Sequence, residues 1–319
     1  MRTRPVRAAL GALLAAILSL PGTADAERPP TQAVLPSAAA PVRRQAGAAK
    51  LRGRAKIAKE APCGGLSALP RRAGPRPFGV GEELDFELTV AGALVGRMET
   101  KVGKPRQVEG KTMLPLFGRA RTSAVLAAFQ PFLGRYMAMV HPESLEPLGV
   151  RVESTYGKED RWERVRFSPD RRGVEADFTL GGQELHRSYR SDHGMTDVLT
   201  MLYLGRMLAY SEGVSGCQDV FGSRRLWRMT GSVRGLVQVD TPIGERPAFH
   251  VSTILERRPT EGLDSRKPPR VRLDVFYATD AAQTPLAFEV ETEGVVGRGK
   301  LVRWSKGGQS AEAEWTPAP

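Results

Sequence analysis

A histidine, a carboxylate and a thiol occur in that order at His193, Asp197 and Cys217. Together they could make a nucleophilic centre, with a thiolate attacking an acyl carbon after an imidazole, oriented by the carboxylate, has taken its proton. Spacing argues against it. The stretch between them, "MTDVLTMLYLGRMLAY" at 195–210, is expected to be helical, with Thr196 or Asp197 as its amino-terminal cap and Gly213 ending it. About 15 residues of helix are roughly 22 Å long, which places His193 and Cys217 at opposite ends. Ser215 lies in Gly-Val-Ser-Gly and lacks a G-x-S-x-G elbow.

The remaining candidates read as structure. Cell-wall cysteine transpeptidases carry a Ser-His-Gly-Cys stretch that is absent here. His141, His186, His193 and His250 are too scattered for an HxH or HExxH site, and there is no CxxC, so no metal is expected. His141 and His250 read as packing or hydrogen-bonding residues. Glu82 and Glu83 are adjacent in an extended stretch and face opposite sides, so they read as a solvated edge, and Glu159/Asp160 as a turn. Phe276 falls opposite an apolar row, between charged neighbours, suited to packing under a loop or to an exposed contact. No cofactor is implied, and the chain reads as a non-enzyme.

The glycines of "PFGVGEELDFELTVAGALVGRMETKVG" (77–103) serve turns rather than a phosphate. Leu84, Phe86, Leu88 and Val90 alternate with Glu83, Asp85, Glu87 and Thr89, the period of a strand with one wet face. No helix and no Walker lysine follow. Gly92 suits a turn, and Gly96 a bulge or close backbone approach. The same alternation recurs in Val174, Ala176, Phe178 and Leu180, in Val271, Leu273, Val275 and Tyr277, and in Leu286, Phe288 and Val290. Turn signals at Gly157-Lys158, Pro169-Asp170 and Gly181-Gly182 separate such runs. The expected fold is mainly β: a large curved antiparallel sheet, open barrel or sandwich-like, with one buried helix at about 195–210.

The ends differ from this body. Residues 1–26 carry Arg2, Arg4 and Arg7, an apolar run from Ala8 to Leu20 and Ala24-Asp25-Ala26, the pattern of a secretory signal peptide cleaved between Ala26 and Glu27. No transmembrane span is expected after cleavage. The formal charge of +12 is uneven: residues 27–77 hold eleven Lys/Arg against two Glu, and the 242 residues beyond hold 33 bases against 32 acids. Residues 27–75 read as a disordered basic Ala/Pro/Arg-rich tail or linker, residues 76–305 as a single β-rich domain, and residues 306–319 as a C-terminal tail. The basic stretch 28–76 suits an anionic envelope surface. Its lack of aromatic residues, together with export, argues against nucleic acid. Cys63 and Cys217 are the only cysteines. An oxidising compartment favours a disulfide between them, and two free or buried thiols are the other reading.

Phe78, Gly81, Glu82, Leu84, Phe86, Leu88, Gly92 and Gly96 follow the pattern F-x-x-G-E-x-L-x-F-x-(V/L)-x-x-x-G-x-x-x-G. With "DVLTMLYLGRML", "VDTPIGERPAFHV" and "FYATDAAQTPLAFEVETEGVVGRGKL" in order after it, the chain resembles the DUF3108 family of exported bacterial proteins of unknown function, over roughly residues 76–305. That resemblance implies an envelope location and a β-rich fold, and it carries no catalytic residue. Two functions are compatible with all of this. One is a periplasmic or envelope module binding an apolar ligand, such as lipid or a lipidated protein, against Met195, Met201 and Met207. The other is an envelope scaffold or protein-interaction module tethered by the basic tail.

Overall fold

A computed structural model describes Cys63, residues 70–258 and residues 270–307. The expected signal peptide, the expected basic tail up to Pro62 and the expected C-terminal tail from residue 308 lie outside the described residues. Eight strands and a short helix come first: β1 (Glu83–Val90), β2 (Ala93–Val102), β3 (Arg106–Val108), β4 (Lys111–Thr122), α1 (Ala124–Ala127), β5 (Phe132–Val140), β6 (Pro147–Tyr156), β7 (Glu159–Phe167) and β8 (Gly173–Leu180). They are followed by β9 (Gln183–Arg190), β10 (Met195–Asp197), α2 (Val198–Gly205), β11 (Ser215–Gly222), β12 (Arg225–Thr241) and β13 (Gly244–Arg257). The last three are β14 (Arg270–Ala278), β15 (Pro285–Thr292) and β16 (Val295–Ser305).

The fold is mainly β, a single 16-stranded sheet that does not close. Its order is β10-β11-β12-β13-β14-β15-β16-β1-β2-β4-β5-β6-β7-β8-β9, with β3 paired to β4. Two meanders, β1–β9 and β11–β16, are joined where β1 pairs with β16. The two outer edges of the sheet, β9 and β10, are therefore consecutive in the chain. All neighbours are antiparallel except β10 and β11, which are parallel.

The alternation seen in the sequence lays down the interior. Leu84, Phe86 and Leu88 are fully buried and share one face with Phe288, Val290 and Leu301 of β15 and β16. Each large apolar side chain taken from water contributes about 1.5–3 kcal/mol, so these rows dominate what holds the sheet curved around its contents. Gly96 lies beside a register shift between Leu88 and Thr89, and a Cβ there would collide with the Arg121 carbonyl oxygen, so both a bulge and a close approach are present.

Strand β12 is unusually long at 17 residues, because the bulge between Val233 and Gly235 takes up Arg234 without interrupting pairing with β13. One expectation needs correcting. The helix is only eight residues long. Met195–Asp197 run extended beside β11, Asp197 is the cap, and the helix ends at Gly205 rather than near Gly213. Its end is fixed by tertiary contacts: the Tyr210 hydroxyl donates to the Gly205 carbonyl at 2.6 Å and that of Tyr277 to Leu202 at 3.3 Å. A side chain at Gly205 would collide with the Tyr277 hydroxyl. Beyond it, Leu208 bridges to Arg71, with Arg72 N–H donating to the Met207 carbonyl and Ala209 N–H to that of Pro70.

Candidate functional site

Between α2 and the inner face of β11–β15 lies a cavity of about 180 Å³. Helix α2 is placed by its first turn. Fully buried Asp197 accepts from the amides of Leu199 and Thr200, from the Thr200 hydroxyl and, at 3.1 Å, from the Tyr136 hydroxyl of β5. Burial pushes the Asp197 carboxyl up, and those four donors pull it back. The helix is thus pinned from β5 while Met201 and Leu202 face Met229, Leu255 and Leu273 across the cavity.

No residue lining the cavity is charged. Most of its polar side chains are occupied elsewhere: Thr253 donates to the Leu273 carbonyl at 2.7 Å, Thr100 accepts from Tyr203 at 3.1 Å, and the Gln218 amide donates to the Gly194 and Asp219 carbonyls. Tyr210 and Tyr277 are spent on the helix end. An uncharged cavity whose polar side chains are mostly paired offers water few partners and favours hydrocarbon. A larger groove of about 670 Å³ over β5–β7 is polar and charged, with Arg151 paired to Glu153 in its wall.

Glu82 is not at a solvated edge. It is 2% exposed and forms a two-pronged ion pair with Arg206, itself fully buried one residue beyond α2. Arg206 also donates to the carbonyls of Ala282 and Pro77 and lies over the rings of Phe78 and Tyr203. The turn at Gly79–Glu82 folds Glu82 inward, which strand alternation alone does not reveal. Glu83, its neighbour, pairs with Lys101 and Arg303.

The residues of the possible nucleophilic centre are dispersed in role, although not as the sequence suggested. Because α2 is short and β10 runs beside β11, the His193–Gly194 stretch lies alongside Cys217–Gln218, as the Gln218–Gly194 bond shows. Cys217, however, is in a disulfide with Cys63, their Cα atoms 5.2 Å apart, and Asp197 is turned to the helix and Tyr136. Ser215 lines the cavity rim. His141 accepts from the backbone of Glu143 and Ser144. Exposed His186 is raised by its hydrogen bond to Asp177, with Glu175 adding to it. His250 stacks on Phe276 with ring centres 4.9 Å apart and lies 3.2 Å from Asp274. Among the described residues no three His, Cys, Asp or Glu side chains are grouped to hold a metal.

The family model "Protein of unknown function (DUF3108)" matches residues 85–297. The chain belongs to that family. No curated protein matches the sequence. Among solved structures, a β-barrel-like DUF1849 protein from Brucella abortus is similar at 12% identity and a TM-score of 0.47, over 71% of this chain and 97% of that one. A candidate exported protein with a YmcC-like fold from Bacteroides fragilis gives 10% and 0.35, over 72% and 98%. A candidate lipoprotein from Parabacteroides distasonis gives 8% and 0.34, over 73% and 100%. Among the described residues no helix is long and apolar enough to cross a membrane.

In this DUF3108 chain the unclosed edges of the sheet are joined by side chains, which the sequence did not disclose. The β11–β12 turn at Ser223-Arg224 reaches across to β7, β8 and β9. Arg224 donates to the Thr179 carbonyl at 3.2 Å, and the Tyr189 hydroxyl donates to the Arg224 carbonyl at 2.6 Å. Glu163 of β7 is buried beneath the turn. Burial pushes its carboxyl up to about 7, while the charge and the backbone N–H of Arg224 pull it down. In the sequence Glu163 is one of several charges in "KEDRWERVRF"; only its phase with Val165 and Phe167 marks it as inward.

Proposed function

We propose that this chain is an exported, non-catalytic domain of the bacterial cell envelope that shelters the hydrocarbon part of a lipid or lipidated protein beneath α2. The observation carrying this reading is the uncharged cavity against β11–β15, most of whose polar side chains are already paired. Export is supported by the leader pattern of residues 1–26, and attachment to an anionic envelope surface by the basic tail. Methionines 98, 201 and 229 in the wall give the adaptable surface that a variable acyl chain requires. Titration with cis-parinaric acid tests the idea: saturable fluorescence is expected, and Val251→Phe, which fills the cavity from β13, should remove it. An equal signal from a folded V251F protein would count against the assignment.

A second reading, a protein-interaction module, is favoured by one feature. Val125 and Phe129, 79% and 85% exposed, project from the α1 turn, and the carbonyl of exposed Leu94 accepts from the Ser123 hydroxyl that caps it. Val125→Ser with Phe129→Ser would abolish capture of a partner under this reading and leave parinaric acid binding intact under the first.

A further inference from the structure

The outer face of β2, β4, β5, β6 and β7 carries a charge pattern that the cavity does not use. Along one row of the pleat, directly opposed residues run Glu99, Arg119, Arg135, Glu153 and Trp162. Arg119 and Arg135 therefore stand side by side, a relation of like charges that weakens a sheet and that a bound anion would reverse. Their natural partners would be the flanking acids. Each acid turns to another arginine instead, Glu99 to Arg121 at 3.7 Å and Glu153 to Arg151 at 3.4 Å. The guanidiniums of Arg119 and Arg135 are left without an ion pair among the described residues, and the Nε of each is buried with no hydrogen-bond partner.

Arg135 lines the groove of about 670 Å³ over β5–β7, on the face opposite buried Tyr136 and Val152. Small-molecule sites commonly measure about 300–1,000 Å³. The groove is not simply basic. Half-buried Trp162 supplies a flat apolar surface in its wall, with the exposed Arg164 guanidinium 5.8 Å from the ring centre. Glu153 and Asp160 lie on either side of Trp162 on that face, and Asp160 accepts from the Thr155 hydroxyl at 2.7 Å. Both carboxylates keep oxygen lone pairs for further donors. The groove thus offers a guanidinium pair for a carboxylate, an aromatic face for C–H groups and acceptors for hydroxyls. Hydrocarbon uses only the second of these, and inorganic phosphate only the first. We propose that the groove is a second binding site, for an acidic saccharide. Arg135, backed by Arg119, takes the sugar carboxylate, Trp162 supports the apolar side of a ring, and Glu153 and Asp160 accept from its hydroxyls.

Calorimetric titration of the full chain with a glucuronic-acid disaccharide tests this, with its methyl ester and inorganic phosphate as comparisons. The acid should bind saturably, and the neutral ester about tenfold more weakly, because the charge-assisted pair is lost. Arg135→Gln and Arg119→Gln should each weaken the acid by about the same factor, and Arg135→Lys should not restore it, since an ammonium lacks the planar fork. Trp162→Ala should weaken acid and ester alike. In the absence of ligand, the urea midpoint of Arg135→Gln should be no lower than that of the wild type, because one of two opposed like charges is gone. A lower midpoint would mean that Arg135 is engaged within the protein, and the site would fall. So it would if acid and ester bound equally, if both Gln variants bound as the wild type does, or if the acid failed to bind at millimolar concentration. Phosphate binding as tightly as the disaccharide would refute the saccharide assignment in favour of a bare anion site. Parinaric acid binding should be unchanged in every variant, so the cavity reading stands or falls separately.

Discussion

The two arms of the sheet follow one rule of alternation and enclose different interiors. Under β5–β9 the inner rows carry Phe132, Tyr136, Phe167, Phe178 and Tyr189, and what polar character remains, at Glu163 and Asp197, is buried and partnered. Under β11–β15 the inner rows carry Gly231, Val233, Val251, Leu255 and Leu273 beside Tyr277 and Phe288, and a cavity remains. The difference is one of side-chain volume against a similar curved backbone. Rows dense in aromatic residues fill the concave space, whereas rows in which Gly231 and aliphatic residues stand between the aromatics leave part of it for something else. If the function is to hold hydrocarbon, the filled arm supplies rigidity and the other supplies room.

That contrast can be broken at its strongest point first. Arg206→Met leaves Glu82 buried without its partner and should cost about 3–5 kcal/mol by urea unfolding, with Glu82→Gln in the same chain recovering much of it. Phe178→Ala opens a void in the filled arm and should cost about 3–4 kcal/mol, with no gain in parinaric acid affinity. Were the void to bind probe as well as the natural cavity does, the two arms would not differ in the way described.

Glu163 offers a finer test through pH. Its carboxyl is raised in the folded protein to about 7 from 4.5, so the folded state favours the protonated form. The associated stability is fully present below the unfolded value and is lost as pH rises through the folded one. Unfolding free energy should therefore fall between about pH 4.5 and 7, by up to roughly 3 kcal/mol, and Glu163→Gln should flatten that fall. A profile unchanged by E163Q would contradict the burial of the Glu163 carboxyl beneath the β11–β12 turn. The smallest effect is expected in the cavity arm: Leu273→Ala, at a half-buried site, should cost only about 1 kcal/mol while weakening probe binding.

Much of this architecture was legible in the sequence, and its limits have physical causes. Period-two rows at Leu84–Val90, Val174–Leu180 and Val271–Tyr277 lie on the interior as expected, because alternation is a local property of the pleat. The extent of α2 was not local. Thr196 and Asp197 favour an extended backbone and a cap, and the far end is held by hydroxyls from Tyr210 and Tyr277, the latter some 70 residues away. Glu82 with Arg206, and Glu163 with Arg224, join residues distant in the chain whose charges read locally as solvated. Of the methionines singled out in the sequence, Met201 lines the cavity, whereas Met195 and Met207 lie outside its lining, and Met98 and Met229 take their place. The shape of the cavity depends on which inner rows are small, and this becomes apparent only once strand register is known.

Native mass spectrometry of the protein purified from its own host tests the central claim most directly. The account predicts a bound mass, removed by organic extraction and missing from Val251→Phe, that corresponds to a molecule with a hydrocarbon chain. A protein of unliganded mass, unchanged by extraction and indifferent to V251F when offered lipid, would contradict it.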